Sequence, residues 1–238
     1  MRKLFSYSLL LATALFITSC DNNDDWDLPQ GYTFATVMED SEDETIYFMM
    51  DNDESFVVTN NKTNIDLEKL EIGDRVVAGV TLVKDESAIY DYTADLYVVY
   101  MVRIGESVVV STEEESDEIP DDKLSYVVSN ISLTRGYLNL LAGYLTDNVE
   151  DVKFYLVENL VSDDETDETS EEGEYLNLEL RYDNAYQDGN GNAYESYVSF
   201  DMESYRDRLE DMDGVKLRIN TLKSGVITVT IKSYKLYE

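Results

Sequence analysis

Histidine is absent from the 238-residue chain, and cysteine occurs once. Without an imidazole the commonest catalytic triads cannot be assembled, and the usual zinc sites lose their nitrogen ligands and all but one thiolate. Proline occurs twice and glycine 11 times, so Asn and Asp turns must do much of the chain breaking. No glycine-rich phosphate loop is present. Cations are scarce too: Lys and Arg total 18 against 51 Asp and Glu, a formal net charge of −33. A surface this acidic repels phosphate backbones and anionic headgroups, which argues against nucleic acid and favours cations or basic proteins as partners.

The one cysteine, Cys20, ends an apolar run. Arg2 and Lys3 open the chain and residues 4–17 are mostly apolar. That length suits a secretory leader and falls short of the roughly 20 residues of a membrane span. Ile17-Thr18-Ser19 then precedes Cys20, the order that lipoprotein processing needs. Small side chains fit the peptidase, and the free thiol takes a diacylglyceryl group before cleavage in front of it. Residues 1–19 are therefore expected to be signal peptide, and Cys20 a lipidated terminus anchored at about 0.8 kcal/mol per buried methylene. The alternative is an ordinary leader that leaves the thiol in the mature chain. A catalytic thiol fits poorly, because nothing exists to activate it.

Residues 20–31 are polar and acidic and read as a tether. Their acids either mark surface export or simply keep the tether solvated. A lipobox of this kind implies a Gram-negative envelope. Cleavage leaves 219 residues (238 − 19) with a charge of −35 (16 − 51, since the leader holds Arg2, Lys3 and no acid). That is one large or two ordinary domains, with no disulfide once Cys20 is acylated.

Strand patterns dominate the remainder, and the expected fold class is all-β. "YLNLELRYD" sets Leu176, Leu178, Leu180 and Tyr182 against Asn177, Glu179 and Arg181, the period-two alternation of a half-buried strand. "GVKLRINTL" and "GVITVTIKSY" repeat it and meet through Lys223-Ser224-Gly225, as a hairpin does. "AYESYVSFDM" places Val198, Phe200 and Met202 on one face. In the first half, "YTFATVM", "TIYFMMD", "ESFVVTN", "DRVVAGVTLVKD" and "ADLYVVYMVRI" are rich in aromatic and β-branched residues. Helical signal is thin: "ESYRDRLEDMDG" aligns Tyr205, Leu209 and Met212, with Ser204 to cap and Gly214 beyond, and "DLEKLEIG" suits one turn closed by Gly73. Residues 111–122, seven acids and a proline, are the expected divide between β-units at 32–112 and 123–238. A second acidic stretch, 162–174, reads as a long loop.

Candidate chemistry is sparse. Carboxylate pairs serve glycosidases, but among 51 acids such pairs arise by chance. Asp188, Asn190 and Asn192 open an EF-hand-like spacing that then fails, with Ala193 where glycine is needed and Ser199 where a bidentate Glu belongs. Asp-Gly-Asn-Gly-Asn is more simply a turn. No catalytic or metal-binding residue and no cofactor is nominated, although the acidic loops can gather divalent cations loosely. Of 19 tyrosines, Tyr90, Tyr92, Tyr97 and Tyr100 fall close together and either stack on a ligand or lie half-buried on an ordinary sheet.

The chain resembles the NigD-like lipoproteins. The likeness rests on Ile17-Thr18-Ser19-Cys20 with its acidic follow-on, "GYTFATVM", "GDRVVAGVTLV", "GYLNLLAGYL" and "YLNLELRYDNAYQDGNGNAYESYVSFDM", in that order. It implies an N-terminal OB-like small barrel followed by a C-terminal antiparallel β-sandwich. Where the family pattern carries His-Asn before an alanine, this chain has Asp183-Asn184, so no role of that histidine carries over. The resemblance implies bacteriocin immunity but no defined activity. The expectation is a non-enzymatic envelope lipoprotein, on the membrane through Cys20, in the outer membrane and with surface exposure in view. It would bind a basic protein or peptide, with a carbohydrate as the alternative ligand, a carboxylate hydrolase trailing both, and nucleic acid excluded.

Overall fold

The period-two runs of the first half close on themselves. The computed structural model describes residues 28–63, 65–84, 89–127, 130–134, 136–161, 174–184 and 191–232. Strands β1 (Gly31–Glu39), β2 (Ile46–Met50), β3 (Ser55–Asn61), β4 (Arg75–Lys84) and β5 (Tyr92–Met101) form a closed barrel in the order β1-β2-β3-β5-β4. β3 and β5 run parallel and the other pairs antiparallel, the connectivity of an OB barrel. Ala35, Val37, Phe48, Phe56, Ala94 and Leu96 point inward because each sits on the apolar phase of its strand. Phe48 and Phe56 stack at 4.9 Å. A 3-10 turn at Leu67–Lys69, capped by the Asp66 side chain, sends Leu70 into the end of the barrel. Gly73, at φ +95°, turns the chain into β4 where a side chain would be strained.

The second unit is a sandwich of two five-stranded sheets. One holds β6 (Arg103–Ile104), β8 (Tyr126–Val127), β9 (Ser132–Leu133), β10 (Tyr137–Thr146) and β13 (Asn192–Asp201), with β10 and β13 as its long central pair. The other, in the order β15-β14-β12-β11-β7, contains β7 (Glu106–Val110), β11 (Lys153–Asn159), β12 (Tyr175–Asp183), β14 (Gly214–Thr221) and β15 (Gly225–Lys232). Leu176, Leu178, Leu180 and Tyr182 face Leu138, Leu140, Tyr144 and Phe200 across the core, the phase read from the sequence. β14 and β15 form the expected hairpin. A short helix α1 spans Glu113–Asp117, and the helical signal becomes a 3-10 turn at Glu203–Tyr205 running into α2 (Arg206–Glu210), which buries Leu209. Ser204 lies inside that turn and makes no capping bond.

The fold is all-β, with two differences from expectation. The sandwich is mixed rather than antiparallel: β7 with β11, β12 with β14, and β6 with β13 are parallel pairs. Each joins strands separated by a long crossover instead of a tight turn, which adjacent alternating runs do not reveal. The other difference is the divide. Because β6 and β7 pair inside the sandwich, the chain leaves the barrel at Val102, upstream of the acidic stretch 111–122.

That stretch is a strap on the sandwich, not a linker. Thr112 caps α1, and the Arg181 guanidinium donates to the Ser116 carbonyl at 2.6 Å, the Ile119 carbonyl at 3.1 Å and the Ser116 hydroxyl at 2.8 Å. Arg218 pairs with Asp121 at 3.0 Å, after which Leu124 enters the core. Arg181 thus ties down the strap's backbone and Arg218 neutralises one of its acids, Asp121, while Glu113, Glu114, Glu115, Asp117 and Glu118 stay exposed.

Barrel and sandwich meet around Arg75. Its Nη1 donates to Asp51 Oδ1 (2.5 Å) and Thr36 Oγ1 (3.1 Å), and its Nη2 to Asp51 Oδ2 and Asn139 Oδ1 (3.1 Å each). Asn139 Nδ2 donates to Asp51 Oδ2 at 2.7 Å, and the Ser199 hydroxyl donates to Asn139 Oδ1 at 2.5 Å. The guanidinium lies 3.7 Å from the Tyr137 ring centroid. Asn139 and Ser199 sit on the outward phase of β10 and β13, which is why the sandwich offers polar groups there.

Candidate functional site

The β1–β2 connection and the described end of the β4–β5 connection, residues 89–91, come together beside β2. In the first, residues 40–45, Asp40 Oδ1 accepts from the Glu42 amide (2.8 Å) and Asp43 Oδ1 from the Thr45 amide (3.0 Å), so both carboxylates are held by the loop's own backbone. Glu44 adopts φ 59°, the left-handed turn that lets the loop close. Tyr47 comes next, on the outward phase of β2, between Ile46 and the buried Phe48. From the other connection comes Tyr90, its ring 5.1 Å from that of Tyr47 and inclined by 34°. Partial burial raises the Tyr90 phenol above its usual range, and the fields of Asp40 and Asp43 push it further. A hydrogen bond to the Asp40 side chain raises it as well. Ile89 beside it is 86% exposed.

The base of the second connection is fixed by Asp91. Its Oδ2 accepts from the Ser55 amide (2.8 Å) and hydroxyl (3.0 Å). The Ser55 amide bond, then the hydroxyl bond, holds the Asp91 carboxyl below its ordinary range. Tyr92 turns toward the barrel core and donates to Glu54 Oε1 at 3.1 Å, a bond that raises its phenol. Two adjacent aromatic rings therefore lie near two backbone-held carboxylates, with an exposed isoleucine alongside. Ring faces and carboxylates both attract positive charge, and both repel a phosphate.

The tyrosines singled out by sequence proximity do not form one patch. Tyr90 joins Tyr47, and Tyr92 packs against the barrel core. Tyr97, the unpaired residue of a bulge on β5, has Lys62 over its ring at 4.6 Å. Tyr100 reaches the sandwich, 5.7 Å from Tyr197, which in turn meets Phe34 edge-on at 5.8 Å. Tyr47, Asp40 and Asp43 carried no signal of their own; only the barrel brings residues 40–47 to residue 90.

The leader 1–19 and Cys20 lie outside the described residues, as do Asp188, Asn190 and nearly all of the acidic stretch 162–174. Asn192 opens β13 opposite Thr146, and Ser199 is buried against Asn139, far along that strand. Among the described residues no group of three or more acidic side chains is placed to hold a metal ion. Asp183 ends β12, and the Asn184 amide side chain donates to the Leu145 carbonyl at 2.8 Å, a bond that ties two strand ends. Among the described residues no helix is long and apolar enough to cross a membrane.

Comparison with known proteins bears on the fold. Residues 107–233 match the family described as NigD-like C-terminal beta sandwich domain. No curated protein matches the chain. A protein of unknown function from Bacteroides vulgatus has a similar structure, with a TM-score of 0.68 at 20% identity over 84% of this chain and 89% of that one. A NigD-like immunity protein from Bacteroides caccae gives 0.57 at 21% identity over 84% and 91%. A candidate lipoprotein from Bacteroides fragilis gives 0.59 at 13% identity over 87% and 99%. Each likeness spans barrel and sandwich together, and at these identities it shows the fold.

Proposed function

Since the chain belongs to the NigD-like family, whose C-terminal β-sandwich it carries, we propose that it is a non-enzymatic lipoprotein of the cell envelope that captures a basic protein or peptide. Acyl chains on Cys20 would hold it to the outer membrane, with the acidic residues behind the cysteine directing it to the surface. The observation that carries the reading is the Tyr47–Tyr90 pair with Asp40 and Asp43 close by. It occupies the face where OB barrels generally take ligands, across the second and third strands between the first and fourth connections. A lysine or arginine there meets ring faces and carboxylates at once, while a net charge of −33 steers a cationic partner inward from a distance. Binding of a basic toxin, as immunity, fits this chemistry, and one structural neighbour is described as an immunity protein.

The test is octalysine binding to the full chain at low and high ionic strength, with a tetra-anionic peptide as control. Association should slow steeply with salt, and Tyr47→Ala or Tyr90→Ala should weaken it by about 0.5–2 kcal/mol, the scale of a cation on an aromatic face. Equal binding by wild type and both variants would overturn the site. A second reading, carbohydrate binding, rests on Tyr32 and Tyr100, 62% and 46% exposed beside Tyr197. Stacking of a neutral glycan there would be indifferent to salt.

A further inference from the structure

Among the described residues the closed barrel has no free edge, and three of the four sandwich edges are short: β6 has two residues, β7 five, and β8 and β9 two each. The fourth is different. Among the described residues β15 is an eight-residue strand paired on one side only, in unbroken register with β14 from Gly214↔Lys232 to Thr221↔Gly225, with no bulge to twist it away. Its sequence, GVITVTIK, is β-branched at six of eight positions and contains no proline. Val226 is 53% exposed, and Ile227 and Val229 are only half-covered although they face the core. Such an edge presents a row of backbone donors and acceptors to any strand of matching length.

Charge selects the strand. From Gly214 to Tyr237 the chain carries Lys216, Arg218, Lys223, Lys232 and Lys235 and no acid, within a protein of net charge −33. Lys216 lies over the Tyr175 ring, and Arg218 is engaged with Asp121 and Glu179. Lys223 and Lys232 remain, both exposed, one before the strand and one at its end, and neither is in an ion pair among the described residues. Lysines on an edge commonly deter pairing between copies, but copies of a protein this acidic already repel one another. Two β15 strands paired antiparallel about Thr228 would also set Lys232 of each beside Ser224 of the other, with Lys223 next to it. Cation would meet cation, which disfavours a second copy.

We propose that β15 is a docking edge for an extended acidic strand supplied by a partner protein, its backbone completing the sheet and its carboxylates meeting Lys223 and Lys232. This surface is separate from the cation site on the barrel and asks for the opposite charge. The two proposals therefore fail independently.

The experiment uses the full chain with the fluorescent peptide Glu-Val-Thr-Val-Thr-Val-Glu and its lysine-for-glutamate counterpart, reading anisotropy together with amide hydrogen exchange. The acidic peptide should bind and slow exchange across residues 225–232, and the lysine peptide should leave that segment unprotected. Lys223→Glu with Lys232→Glu, both at exposed positions, should weaken the acidic peptide roughly tenfold and leave octalysine binding unchanged. Circular dichroism of the variant checks its fold, and if it unfolds, Lys223→Gln with Lys232→Gln replaces it. Absence of binding, binding without protection of β15, or binding indifferent to the lysines would overturn the proposal, as would protection of β15 by self-association in the absence of peptide.

Discussion

Arg75 and Asp51 form a two-point ion pair, Nη1 to Oδ1 at 2.5 Å and Nη2 to Oδ2 at 3.1 Å, with 2% and 9% of their side chains exposed. The pair belongs to the barrel, yet Asn139 and Ser199 of the sandwich complete its hydrogen bonds. Arg75→Ala would leave the Asp51 carboxylate buried without its cation. The expected loss is about 3–5 kcal/mol in urea unfolding followed by circular dichroism. A single transition in the wild type should separate into two, because the same change removes the junction. Arg75→Met with Asp51→Leu should recover part of the loss, since no charge is then stranded.

Arg181 holds the strap by three bonds to residues 116–119 and by its pair with Glu179 at 2.7 Å. Arg181→Ala should cost about 2–4 kcal/mol, since charge-assisted bonds and a nearly buried carboxylate lose their partner together. Limited proteolysis should then cut first within residues 111–122. Wild type and variant cleaved there at equal rates would contradict the role.

The Asp91 carboxyl titrates below its unfolded value because the Ser55 amide and hydroxyl stabilise its charged form. Its contribution is therefore present above the unfolded pKa and disappears as pH falls through the lower folded one. Asp91→Asn should be less stable than wild type at neutral pH, with the gap closing in acid below the ordinary carboxylate range. Parallel urea titrations at several pH values measure that gap. A gap independent of pH would sink the assignment.

Gly105 separates β6 from β7, and a Cβ placed there would lie 2.1 Å from the fully buried Phe200 ring. Phe200 is enclosed by the sandwich core and has nowhere to retreat. Gly105→Ala should cost about 1–3 kcal/mol through overpacking, seen as a lowered thermal midpoint. Gly136→Ala, where a Cβ meets nothing within 4 Å, is the matched control.

Period-two patterning made the strands legible one at a time. Leu176 to Tyr182 and Val215 to Ile219 face the core on the expected phase, and the β14–β15 hairpin arises from its short turn. Pairing between distant strands left no such mark. β7 against β11 and β12 against β14 depend on which edges meet after collapse, which neither run encodes alone. The acidic stretch misled for a related reason: the side chains that hold it, Arg181 on its backbone and Arg218 on Asp121, lie about 60 and 100 residues onward, as the separations of 62–65 and 97 in their bonds show. The site was half visible. Tyr90 stood out by composition, whereas Tyr47 needed the barrel to bring it near.

One residue, Val102, stands between the last barrel strand and the first sandwich strand. So short a joint leaves no length of chain on which the halves could swing apart, and β6 and β7 are inseparable from the C-terminal half of the chain. Recombination at the acidic run would strip two border strands from the sandwich and graft them onto a barrel that has no place for them. Inheritance should thus have kept the halves together, and swaps between relatives should succeed only when cut on the barrel side of that valine.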